Sequence, residues 1–184
     1  MNFKKIITAF ILFLSITCQA ETIKFLGIPV DGSKKDFEHA LILKGFKKGD
    51  GDYFVGKFNG YNSLISIQEY KNKVWRVGVI RLTDNGEGFS QSEIIPQYNN
   101  LFNQLLGNSK YFILGGKEIS QKENISYKMI VENETYQTTF ALESEYKVNS
   151  ITNIVWFRIM RVTNQFAIIL CYENLNNSSK GEDL

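Results

Sequence analysis

The chain holds few of the residues that staple or catalyse: one His, two Cys and two Pro in 184 residues. Cys18 sits in an N-terminal segment unlike the rest. Residues 1–5 are a short basic start, residues 6–17 are dominated by apolar side chains, and Cys18-Gln19-Ala20 ends on a small residue. That is the layout of a secretory signal peptide. An apolar run of this length rises about 18 Å as a helix, short of the roughly 30 Å of a hydrocarbon core. Cleavage after Ala20 leaves Cys171 as the sole thiol, so no intramolecular disulfide can form. The exported chain must rest on its core, and 164 residues suffice for one. The alternative is a lipidated Cys18. Ser15-Ile16-Thr17 before it departs from the Leu, small, small pattern of lipoprotein signals.

An excess charge of either sign is also missing. Without Lys4 and Lys5 the chain carries 19 basic and 19 acidic side chains. A neutral chain lacks the basic excess that binding a phosphate backbone needs, so nucleic acid is not an expected partner. No second long apolar run follows the leader, so no stable membrane insertion is expected once it is removed.

With one His, metal and nucleophile chemistry lose most of their usual forms. His39 reads as an exposed helix residue; as a metal ligand it would need partners the sequence does not supply. Cys171 with His39 as base would make a thiol nucleophile. Flanked by Ile169, Leu170 and Tyr172, however, it reads as a buried and inert thiol. Asp50-Gly51-Asp52 fails as a calcium loop because Phe54 stands at the next ligand place. The 83–88 stretch holds acids but reads as a linker. Phosphate-binding Gly-Lys-Ser/Thr loops and Gly-x-Ser-x-Gly elbows are lacking. No metal, cofactor or catalytic residue is expected.

What is present is β-rich. A strand over 23–28 ends at Pro29. Ser33 and Asp36 make a capping box for a helix over about 34–44, and Gly45 with Phe46 gives it a Schellman ending. Strands over 53–59, 63–70 and 73–82 follow as a meander, with Trp75, Val77 and Val79 on one face of the third. Ser90 and Glu93 start a second helix that runs to Gly107. Pro96 conflicts with that start and favours a kink or a later beginning. Strands over 111–114, 125–131 and 136–142 follow, then 154–162 and 166–172 as a hairpin around Thr163-Asn164-Gln165. The expected class is α+β: two helix-then-antiparallel-meander units, 21–83 and 84–173, with both helices on one face of the sheet. Residues 174–184 read as a flexible polar tail.

Phe25-Leu26-Gly27-Ile28-Pro29-Val30-Asp31-Gly32-Ser33-Lys34-Lys35, Lys44-Gly45-Phe46, Gly56-Lys57-Phe58-Asn59-Gly60 and Lys73-Val74-Trp75-Arg76 resemble a group of small exported proteins of uncharacterised role from gut anaerobes. The helix-then-meander pairing is similar to the β-lactamase-inhibitor-protein-like fold. That likeness implies protein binding or envelope assembly, by analogy of fold alone.

The final hairpin carries the functional expectation. Val155, Phe157 and Ile159 share a face with Phe166, Ile168, Leu170 and Tyr172, and that face should lie under the helices. Trp156, Arg158 and Met160 share the other with Ala167, Ile169 and Cys171. Trp, Met and Arg are enriched in interfaces. The leading expectation is a non-enzymatic binding module, periplasmic or extracellular, that meets a protein or glycan through Trp156, Arg158 and Met160. An open face of this kind is expected to leave Cys171 reachable by thiol reagents. The alternatives are a small extracytoplasmic hydrolase and an envelope-assembly or lipoprotein-like factor.

Overall fold

The computed structural model describes residues 21–179; the leader expected over 1–20 and residues 180–184 lie outside that range. The expected strand over 23–28 is instead a small hairpin. Leu26 and Gly27 both take positive φ, 51° and 80°, the requirement of a two-residue primed turn. They fold β1 (Lys24–Phe25) back on β2 (Ile28–Pro29). Helix α1 (Lys34–Leu43) begins at Ser33, whose hydroxyl oxygen accepts from the Asp36 amide at 3.2 Å and donates to its carboxylate at 2.7 Å. Gly45 at φ 90° ends it. The Phe46 amide donates to Leu41 and the Gly45 amide to Ile42, completing the Schellman motif.

The rest of the first half is β3 (Lys47–Lys48), β4 (Phe54–Phe58), β5 (Tyr61–Tyr70) and β6 (Lys73–Arg81). Helix α2 (Gln91–Leu106) starts where its capping residues say, with the Ser90 amide donating to Glu93 at 2.8 Å. Pro96 stays inside the helix. It lies on the exposed side, where water can take the carbonyl that its ring leaves without a donor.

Then come β7 (Tyr111–Gly115), α3 (Ile125–Val131), β8 (Gln137–Leu142), α4 (Glu143–Lys147), β9 (Asn153–Val162) and β10 (Gln165–Asn174). Helix α3 corrects the strand expected over 125–131. Asn124 caps it by accepting from the Tyr127 amide at 3.1 Å. Ile125 is buried and Met129 half-buried, a helical spacing, while Tyr127 and Val131 are exposed. The polar tail is corrected in part as well. Asn174 donates to Val30, Asn177 donates to Val74 and to Asp31, and Leu175–Asn177 form a 3₁₀ turn.

Strands β3 to β10 form one antiparallel sheet in the order β3-β4-β5-β6-β10-β9-β8-β7. The class is therefore mixed α+β, with four helices and a large antiparallel sheet among the described residues. Ile65, Val79, Leu170, Phe157 and Thr138 stand in one row across five strands. They mark the inner face. Phe37 and Leu41 of α1 share a single buried cluster with that face, as do Ile94, Tyr98, Leu101, Phe102 and Leu105 of α2. The Tyr98 ring meets Phe157 at 4.8 Å and Phe102 meets Phe140 at 6.2 Å. Each such side chain contributes about 1.5–3 kcal/mol on burial, so this stripe holds α2 against the sheet.

Candidate binding surface on the outer face of the sheet

The face turned away from α1 and α2 is built from the alternate residues. One row is Ser66, Gly78, Cys171, Trp156 and Thr139; its neighbours are Leu64, Ile80, Ile169, Arg158 and Gln137, and then Gln68, Arg76, Glu173 and Ile154. Trp156 and Met160 are half-buried here and Arg158 is exposed, so all three expected residues fall on one face. The facing predicted for the final hairpin holds because Thr163 and Asn164 form a two-residue turn, with Val162 opposite Gln165.

Trp75 departs from its predicted place. Gln68 pairs with Arg76 but Glu69 pairs with Val74, so Trp75 is the extra residue of a β-bulge. The bulge puts Val74 in the core beside Val77 and Val79 and lays the Trp75 ring against the Arg76 guanidinium at 4.1 Å. Arg76 also stands 6.0 Å from the Trp156 ring, and Arg158 stands 5.7 Å from that same ring. The result is an alternating ladder: Trp75, Arg76, Trp156, Arg158.

Glu173 holds the ladder in place. One carboxylate oxygen, Oε1, accepts from Arg76 Nε at 2.6 Å and from Trp156 Nε1 at 2.6 Å. Its side chain is only 5 % exposed. Gln68 adds a bond to Arg76 at 3.3 Å. The two indoles and one guanidinium thus have fixed orientations, and less side-chain entropy is left to lose on contact with a partner. Sequence reading missed Arg76 and Glu173. The signals were there: a Trp-Arg dipeptide, and a lone acid inside the apolar strand β10.

Cys171 is buried, as its apolar strand neighbours suggest, which corrects the expectation that an open outer face leaves the thiol reachable. It is 4 % exposed, at the floor of the face between Gly78 and Trp156. Burial pushes its thiol up to about 12; Arg76 and Arg158 oppose the rise and Glu173 adds to it. His39 is exposed on α1, whose packing is on the other side of the sheet, so the two do not form a pair. Because the folded thiol titrates above its unfolded value near 9, its contribution to stability is complete below pH 9. It is then lost toward pH 12, at roughly 1.4 kcal/mol per pH unit. Native protein at pH 8 should resist thiol labelling. Cys171→Ala should flatten the loss of stability between pH 9 and 10 in chemical denaturation; a thiol that reacts fully without unfolding contradicts this.

A cleft of about 520 Å³ lies between α2 and residues 116–137, lined in part by Tyr98, Glu118, Ile119, Glu123, Glu134 and Tyr136. Its polar groups are largely engaged. The Tyr136 hydroxyl donates to Glu123 at 3.2 Å, and burial with the nearby glutamates keeps that phenol protonated well above its ordinary range. Tyr98 shares a 2.6 Å bond with Thr138. Among the described residues no three His, Cys, Asp or Glu side chains gather as a metal site. Asp52 of the failed calcium loop pairs with Lys34 at 2.7 Å and ties that loop to α1. Among the described residues no helix is long and apolar enough to cross a membrane. Comparison with protein-family models, with curated proteins and with solved structures finds no match to this chain.

Proposed function

We propose that the chain is an exported, non-enzymatic binding module whose outer sheet face meets a protein or glycan partner. One observation carries this reading: the Trp75–Arg76–Trp156–Arg158 ladder, clamped by Glu173 on a face that also exposes Ser66, Gln68 and Gln137. Trp and Arg are the types that dominate interface energetics when their orientation is fixed and their surroundings are apolar. Half-buried Leu64, Ile80, Ile169 and Met160 supply such surroundings. The leader over 1–20 supports export to the periplasm or beyond.

We also read the chain as two helix-then-meander units, 21–83 and 84–173. The strand order supports this. β3 to β6 follow α1, β7 to β10 follow α2, and the last strands of the two runs, β6 and β10, pair at the middle of the sheet. Helices α3 and α4 interrupt the second run only.

The test compares Trp156→Ala with Arg158→Glu in one variant against Lys35→Glu on α1. Both are presented to immobilised envelope proteins of the host and to a glycan panel. The double variant should bind 10- to 100-fold more weakly, and Lys35→Glu should match the wild type. Equal retention by all three removes the outer face from the reading.

A further inference from the structure

The outer face is basic, although the chain beyond residue 20 carries equal numbers of acids and bases. One row crosses it from Lys47 on β3 through Val55, Leu64, Ile80 and Ile169 to Arg158 on β9. A cation thus stands at each end and aliphatic side chains lie between. At about 4.8 Å from strand to strand, the two ends are roughly 24 Å apart. Lys47 and Arg158 are both exposed, and among the described residues neither has a carboxylate partner. Lys57, on the same face of β4 as Val55, meets only the exposed Asp84, at 3.7 Å. The one acid in the three rows around the ladder is Glu173, which is buried and engaged by Arg76 and Trp156. The positive charge of Arg158, beside the Trp156 ring at 5.7 Å, is therefore left for a partner to answer.

The aliphatic stretch decides the class of that partner. Val55 is exposed, and Leu64, Ile80 and Ile169 are half-buried. A sugar chain lying along them would desolvate hydroxyls that find neither donor nor acceptor, at about 1–3 kcal/mol for each one left unpaired. An aliphatic side chain of a protein gains about 25 cal/mol per Å² in the same place. Trp, Met and Arg around a centre poor in acids and lysines make up the core of a protein interface, and a span of roughly 24 Å suits a patch of about 800 Å² on each partner. A carboxylate facing Arg158 would form a charge-assisted pair, whereas a cation there would be repelled.

We propose, given the outer face as the docking surface, that its partner is a protein with an acidic contact surface, which sets apolar side chains over Leu64, Ile80 and Ile169 and a carboxylate against Arg158.

The test selects phage-displayed random peptides on the immobilised protein and compares their binding to Arg158→Glu and Trp156→Ala variants. Peptides taken by wild type should be rich in Asp or Glu beside apolar residues. They should bind Arg158→Glu about 10-fold more weakly, and exchanging their acid for Lys should recover most of that loss on the variant. Arg158 is exposed, so reversing its charge leaves the fold intact. Peptides that need Trp156 but are not acidic, or that bind Arg158→Glu as tightly as wild type, keep the outer face as a docking surface and overturn the acidic partner. Peptides indifferent to both substitutions overturn the docking surface as well. A selection that does not enrich acidic over basic peptides also overturns the proposal. So does Arg158-dependent retention of polygalacturonate more tightly than of any selected peptide, which would assign the face to an acidic glycan.

Discussion

Glu145→Ala should cost about 4 kcal/mol of stability and lower the melting temperature by roughly 8–16 °C. Glu145 is 6 % exposed and its carboxylate accepts four hydrogen bonds. Oε2 accepts the amides of Thr152 and Asn153 at 2.8 and 2.7 Å; Oε1 accepts the Thr152 hydroxyl and the Asn153 side-chain amide, both at 2.6 Å. Removing the carboxylate leaves the buried Asn153 backbone amide without a partner and the half-buried Thr152 donors to water, while the Asn153 side-chain amide keeps only its longer 3.2 Å bond to the Thr152 hydroxyl. The loss also reaches the N-terminal segment, because Asn153 Oδ1 accepts the Ile23 amide at 3.0 Å. Glu145→Gln keeps the shape but turns an NH₂ toward two of the four donors, so about half the loss should remain. Urea denaturation of the two variants measures this. Alanine within about 1 kcal/mol of wild type would show that this network does not hold α4 to β9.

Glu173→Ala should lower stability by about 3 kcal/mol and dismantle the ladder as well. Two charge-assisted or indole bonds end on one of its oxygens, and neither Arg76 nor Trp156 has another carboxylate partner among the described residues. Both tryptophans of the chain belong to the ladder, so its collapse is visible directly. Their emission should shift to longer wavelength under conditions where circular dichroism still reports a folded sheet. Glu173→Gln retains an acceptor and should keep most of the native emission. Unchanged emission in Glu173→Ala would separate the indoles from the carboxylate.

How much of this was legible beforehand depended on the range of the physics. Capping residues act within four positions, so Ser33, Gly45, Phe46 and Ser90 placed two helices correctly. Period-two alternation placed the final hairpin and its faces, including Trp156 and Arg158. The same alternation misled where a local event intervened. A bulge at Trp75 shifted one residue of register, and the Leu26-Gly27 turn split an apparent strand. Residues 125–131 alternate well enough for a strand, yet Asn124 caps a helix there and only Ile125 and Met129 reach the core. The Glu173 clamp joins positions 97 and 17 residues apart. It does not follow from spacing along one strand.

The central claim is that a partner docks on the outer face over Trp75 and Trp156. Intrinsic tryptophan emission tests it most directly, because the two indoles of the chain stand in that ladder. Titration with a partner protein or glycan, already shown to bind by an independent method, should shift or quench the emission with the same half-saturation as binding. Binding that leaves the emission unchanged would place the contact elsewhere and contradict the account.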